Sequence, residues 1–198
     1  PDAVTFCSIL KACSMIGLTE KGKEIHAQVR NRGLLTTNVV LGNALVDMYV
    51  KCGVLAKAQE VFDELPVRDV VGWTSLISGD SQLAHVECVF TLFYRMIAEG
   101  IIPNSVTFVV LLTACSHSGL VEEGQTYFDV ITESYCLNPT LEHYNCMVEL
   151  LGGRGDWTEA YDLFSTMPTM PNIVGWTSLL NHCGKHIDMK KQKRNYTL

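Results

Sequence analysis

His85-Val86-Glu87 has the spacing of the first half of a zinc-deaminase signature, H-x-E followed by P-C-x-x-C. In that chemistry the histidine holds the metal and the glutamate moves protons. No P-C-x-x-C follows anywhere in the chain, so the triplet is read as chance. His182, Cys183 and His186 sit at helical spacing and offer metal-ligand atoms, but not at the spacing of a structural zinc site. They are read as part of a partly formed C-terminal helix. Gly152-Gly153-Arg154-Gly155 is glycine-rich but lacks the Lys-Ser/Thr of a phosphate-binding loop, and Arg154 is read as a solvated charge. The eight cysteines (Cys7, Cys13, Cys52, Cys88, Cys115, Cys136, Cys146 and Cys183) include no CxxC pair. Nothing indicates secretion, so they are read as reduced, mostly buried, small apolar side chains. No enzymatic activity, no cofactor and no metal is expected. Lys190, Lys191, Lys193 and Arg194 form a basic run near the end, read as a solvated terminus, with a phosphate-contacting arm as the alternative.

The elements that would position a site are those of a packed fold. The chain has 198 residues, of which 47% are hydrophobic and 18% charged. Its net charge is −6 and its pI about 5.5, unlike a nonspecific polyanion binder, which would be basic. The longest largely apolar run, Val106 to Cys115, falls far short of the roughly 20 residues a membrane span needs, so no membrane association is expected. A chain that opens on Pro1 reads as a piece of a longer product.

Two phrases are written twice. VVGWTSLI begins at Val70 and IVGWTSLL at Ile173; TFCSILKACS begins at Thr5 and TFVVLLTACS at Thr107. The offsets are 103 and 102 residues, and one third of 102 is 34, within the range of solenoid repeats. Units laid out near that period run 3–38, 39–69, 70–104, 105–140 and 141–172, with a sixth start at Ile173. The fifteenth residue is Gly17, Gly53, Gly119 and Gly155 in four units, and Ala84 in the third. Glycine there suits a turn between two helices. The twentieth residue is small in four of the five units (Gly22, Ala58, Gly124, Ala160). Four residues after the twentieth come Phe62, Phe93, Phe128 and Phe164, with His26 in the first unit. That is a packing seam at i, i+4. Pro66, Pro103, Pro139 and Pro168 would stop the second helix of each pair. The expectation is an all-α chain of roughly ten to eleven helices without a sheet. Its helix pairs stack because one pair cannot bury its apolar face alone.

A tetratricopeptide repeat would show W-x2-L-G-x2-Y in its first helix. These units read NALVDMYVKCG (Asn43 to Gly53) and NCMVELLGGRG (Asn145 to Gly155). The chain resembles the pentatricopeptide repeat family, and within it the plant subclass that alternates standard, long and short motifs. PDAVTFCSILKACS and GKEIHAQVRNRGL resemble the long motif, and LGNALVDMYVKCGVLAKAQEVFDELPVRD the short one. HYNCMVELLGGRG, followed by EAYDLF and MPTMPN, resembles the last short repeat, and WTSLLNHCGKH the start of a C-terminal extension motif, at 173–198 with the basic tail.

The resemblance implies a right-handed α-solenoid of helix-turn-helix repeats, first helices on the concave side, that binds single-stranded RNA one base per repeat. It assigns reading to the fifth and the last residue of each repeat. Here these are Cys7 with Asn38, Asn43 with Asp69, Thr74 with Asn104, Val109 with Thr140, and Asn145 with Asn172. By the family's rule Asn43/Asp69 reads uracil, Thr74/Asn104 adenine, and Asn145/Asn172 cytosine or uracil. Cys7 and Val109 offer little polar readout, so their units shape the surface or contact a partner. The resemblance further implies an organellar RNA-processing factor specifying C-to-U editing sites, in a mitochondrion (slightly favoured) or a chloroplast. Editing factors or a deaminase would be supplied in trans. The alternative reading is a helical scaffold that chiefly binds protein, favoured by the acidic balance and the apolar reader positions.

Overall fold

The computed structural model describes residues 1–167. Among them the chain forms ten α-helices, a short 3-10 turn and no strand. The helices are α1 (Ala3–Ile16), α2 (Thr19–Asn31), α3 (Val39–Lys51), α4 (Leu55–Glu64), α5 (Val70–Gln82), α6 (Val86–Ala98), α7 (Ser105–Ser118), α8 (Val121–Glu133), α9 (Leu141–Arg154) and α10 (Trp157–Ser165). The 3-10 turn, Leu34–Thr36, follows α2. No helix among the described residues is long and apolar enough to cross a membrane.

The turn inside each helix pair is the same object five times. Gly17, Gly53, Gly119 and Gly155 have φ of 70°, 75°, 68° and 96°, and Ala84 takes φ 56° in the third pair. In each turn the next residue's N–H reaches back five residues: Leu18 to Cys13, Val54 to Tyr49, His85 to Asp80, Leu120 to Cys115 and Asp156 to Leu151, at 2.9–3.0 Å. This is the 6→1 bond of a Schellman end, which satisfies carbonyls the helix would leave open. The turn geometry dominates at Ala84, where the methyl group is held in a conformation that favours glycine. Pro66 follows α4 by two residues and prevents its continuation, whereas α6 and α8 end well before Pro103 and Pro139, α6 at the left-handed Gly100 (φ 77°). Pro168 lies outside the described residues.

The chain divides into two compact units, Pro1–Pro103 and Asn104–Leu198. In the first, α1 packs on α3 and α3 on α5, while α2, α4 and α6 each lie against their own partner helix. In the second, α7 packs on α9, and α8 and α10 lie against α7 and α9. Each unit is therefore a stack of helix pairs, an α-solenoid arrangement. Phe6, Leu10, Leu41, Leu45, Met48, Trp73 and Ile77 fill the first core, and Phe108, Leu111, Leu112, Cys115, Ile131 and Met147 the second.

The small residues are closely abutted. A Cβ on Gly22 would lie 2.5 Å from the Met48 sulfur, and one on Gly124 would collide with Leu150. Phe62, Phe93, Phe164 and His26 are buried as the seam requires. Phe62 meets Trp73 edge to face at 4.7 Å, and the Arg95 guanidinium lies 5.2 Å over the Trp73 ring. Phe128 departs from the expectation and is only half-buried. The α8 face instead turns Tyr127 and Ile131 inward, at i+3 and i+7 from Gly124. Phe128 packs edge to face on Tyr144 at 5.3 Å.

Candidate nucleic-acid interface

Each first helix begins on a polar side chain that closes its first turn. Asp2 Oδ1 accepts from Thr5 N at 2.8 Å, and Asn38 Oδ1 from Leu41 N at 2.9 Å. Asp69 Oδ1 accepts from Val71 N and Gly72 N at 3.0 and 3.1 Å. Asn104 Oδ1 accepts from Thr107 N and Thr107 Oγ1 at 3.0 and 3.1 Å, while Thr107 Oγ1 accepts from Asn104 N. Thr140 N donates to His143 Nδ1 at 2.8 Å. Asn38, Asp69, Asn104 and Thr140, singled out as the last residues of units, are thus the N-caps of α3, α5, α7 and α9. Sequence reasoning missed this role, although Asn, Asp and Thr are the residues a cap prefers. Asn104 is half-buried.

The cap bonds decide what each side chain has left to offer. The Asn104 carbonyl oxygen takes two donors inside α7's first turn, so the amide's remaining edge is its Nδ2–H pair. Asn38 is left with the same donor edge. Asp69 Oδ1 accepts from two backbone N–H groups and also from Asn43 Nδ2 at 2.8 Å, leaving Oδ2 as an acceptor. Cap chemistry therefore sets the polarity of each position.

The fifth residues lie one helical turn further in. Asn43 is 6% exposed and is joined directly to Asp69. Its Oδ1 is buried with no partner among the described residues, facing Gly72. A Cβ on Gly72 would lie 2.7 Å from that oxygen and 2.9 Å from the Phe62 ring, which explains the glycine in VVGWTSLI. Cys7 and Asn38 share an open cleft of about 310 Å³ with Ala3, Val4 and Val40. Thr74 is buried on α5 in the first unit, whereas Asn104 belongs to the second. Val109 on α7 is half-buried, within the same unit as Thr140. Asn145 on α9 is half-buried with its Oδ1 lacking a partner among the described residues. Asn172 lies outside the described residues, as do His182, Cys183, His186 and the basic tail.

A second feature went unread in the sequence. The second residue of the first four units is valine (Val4, Val40, Val71, Val106), and each is more than half exposed. Regular exposure of an aliphatic side chain one position into a helix, beside a polar cap, was the available signal.

The other candidate chemistry is absorbed by structure. His85 precedes α6 and bonds Asp80 at 3.3 Å. Arg154 pairs with Glu122 and Asp156 at 2.8 and 3.1 Å. Burial pushes the Cys115 thiol up to about 12, so it is not a nucleophile at neutral pH. No group of three potential metal ligands occurs among the described residues.

The model of the PPR repeat matches residues 4–34, 43–70, 106–136 and 142–170, and a second model of the PPR repeat family matches 68–117. The chain belongs to the pentatricopeptide repeat family. This pentatricopeptide repeat chain is 40% identical to the Arabidopsis thaliana pentatricopeptide repeat-containing protein At4g14820, over 98% of the chain and 27% of that protein. It is 45% identical to Arabidopsis thaliana At4g08210 over 93% of the chain and 27% of the relative. Arabidopsis thaliana At4g19191, whose name carries the word mitochondrial, is 40% identical over 96% of the chain and 29% of its own length. The pentatricopeptide repeat chain thus spans roughly a quarter to a third of the curated relatives it matches. Among solved structures, maize PPR10 superposes with a TM-score of 0.66 at 23% identity, covering 97% of this chain and 29% of PPR10. PPR10 in complex with an 18-nt psaJ RNA element gives 0.73 at 25% identity, covering 83% and 25%.

Proposed function

We propose that this chain is a sequence-selective reader of single-stranded RNA, built from five pentatricopeptide repeats at 3–38, 39–69, 70–104, 105–140 and 141–172. The observation that carries the reading is the bonded pair Asn43–Asp69. Their mutual bond occupies one oxygen of Asp69 and leaves Oδ2 as an acceptor, which complements the ring N–H of uracil. The Asn104 donor edge complements the bare ring nitrogen of adenine. The exposed valines supply apolar walls against which bases lie. PPR10, which shares the fold, was solved with RNA bound, and this supports the assignment.

With the chain's N-terminus toward the RNA 5′ end, the motif starts U-A, continues through the base opposite Thr140, and ends in a pyrimidine opposite Asn145/Asn172. The alternation of long, short and standard units supports membership of the plant subclass whose members specify C-to-U editing sites in organelles. In that role the chain is an adaptor, with a deaminase and editing factors in trans. A relative named as mitochondrial supports the location. The test is competition binding of short single-stranded RNAs varied one base at a time, at one stated salt concentration. Preference for U opposite Asp69 and A opposite Asn104 is the expected result. Equal affinity for all four bases at both positions rejects RNA reading and favours the protein-binding scaffold, toward which the half-buried, weakly polar Cys7 and Val109 point.

A further inference from the structure

Thr140 caps α9 through an unusual partner. The third helical residue, where a glutamate or glutamine would close a capping box, is His143, whose residue is 0% exposed. His143 Nδ1 lies 2.8 Å from Thr140 N and 3.0 Å from Thr140 Oγ1, and His143 Nε2 lies 2.9 Å from the Ser105 carbonyl oxygen on α7. These contacts fix the protons of the ring. A backbone N–H only donates, so Nδ1 is the accepting nitrogen. A carbonyl oxygen only accepts, so Nε2 carries the hydrogen. With Nδ1 unprotonated, the hydroxyl bonded to it is the donor. The carboxylate of exposed Glu142, next along α9, is the competing acceptor for the same hydroxyl proton, and the Glu142→Ala variant below separates the two.

From this geometry we infer that His143 is a positioning residue for base selection: it holds the Thr140 hydroxyl proton inside the capping turn, so that the fourth repeat offers a base only acceptor lone pairs. The inference rests on the RNA-reading proposal and deepens it. Val109 adds no polar group, so the acceptor on Thr140 alone sets the preference. It favours the ring N–H of uracil or guanine over the bare ring nitrogen of cytosine or adenine. A threonine without the histidine rotates its hydroxyl to suit either.

The experiment uses the whole 198-residue chain and four single-stranded RNAs that differ only at the base opposite Thr140. The parent is expected to bind the U and G forms about fivefold more tightly than the C and A forms, the scale of one net hydrogen bond. His143→Ala should bring the four within about twofold. His143→Gln, which returns an acceptor to the turn, should restore the preference, and Glu142→Ala should leave it in place. Preference for A over G opposite Asn104 should persist in all of them. Retention of the fivefold difference in His143→Ala, or its loss in Glu142→Ala, overturns the inference. A nitrogen-15 spectrum of the parent decides it even if His143→Ala does not fold: a neutral ring protonated on Nε2 supports it, and one protonated on Nδ1 overturns it. A parent that discriminates opposite Asn104 but not opposite Thr140 overturns this inference alone. A parent that discriminates nowhere overturns RNA reading itself.

Discussion

Asn43 donates from Nδ2 to Asp69 Oδ1 at 2.8 Å, joining α3 to the cap of α5 across 26 residues of sequence. One carboxylate oxygen therefore holds a helix end and a neighbouring side chain together, and the other is left over. Asp69→Asn keeps the accepting oxygen and replaces the leftover acceptor with a donor. It should shift the preferred base from uracil to cytosine by about 1–3 kcal/mol with little change in Tm. Asp69→Ala should lose the preference and also about 1 kcal/mol of stability. Melting curves and RNA competition on the two variants separate the roles; equal melting losses in both would contradict the cap assignment.

Asn104→Asp should move the preference from U-A to U-G by about 1–3 kcal/mol. The fold should survive because aspartate accepts the Thr107 N–H as asparagine does. Competition between two RNAs differing at that base, for both proteins, is the measurement. An unchanged preference for A would mean that Asn104 does not face the base.

Ala84 occupies the left-handed turn that glycine fills in the other four pairs. Ala84→Gly should stabilise the chain by about 1 kcal/mol, and Gly119→Ala should destabilise it by a similar amount. Chemical denaturation midpoints test both. A loss of stability in Ala84→Gly would show that the third turn differs from the rest.

Phe62→Ala should cost about 3–5 kcal/mol, because the ring is fully buried against Trp73. Phe128→Ala should cost about half as much, since that ring is only partly buried. Equal losses would place Phe128 in the seam after all.

His26 and His143 are buried, and burial holds both imidazoles below their ordinary value. The unfolded chain therefore binds more protons than the fold as pH drops below about 6.5. Their contribution to stability is present above that value and is lost as pH falls toward their folded values. The denaturation midpoint should fall between pH 7.5 and 5.5. The slope should be shallower in His26→Phe, the residue the four other pairs carry there. A midpoint that rises on acidification would reverse the sign.

The helix-turn-helix period was legible because its signals are repulsive and repeat: glycine at a positive φ, a small residue under a helix, a proline that cannot continue. VVGWTSLI marked a first helix, and Gly72 shows why, pressed between Asn43 and Phe62. Phe128 misled because its residue type matches the other seam positions, while α8 instead buries the side chains at i+3 and i+7 from Gly124, Tyr127 and Ile131. The cap role of Asn38, Asp69, Asn104 and Thr140 was hidden in plain composition, since reading and capping call for the same side chains. The proton arrangement around His143 was not legible at all. It depends on a carbonyl 38 residues away, at Ser105.

That shared demand on the caps has an evolutionary consequence. The four caps between successive helix pairs are drawn from Asn, Asp and Thr, a set narrowed by helix initiation before any target is chosen. Asparagine and aspartate codons differ by one transition, and both residues start a helix equally well. On the proposed reading, a lineage can exchange one target base for another through a single nucleotide change without passing through a poorly folded ancestor. Retargeting is then limited by the fate of the old transcript rather than by the stability of the protein.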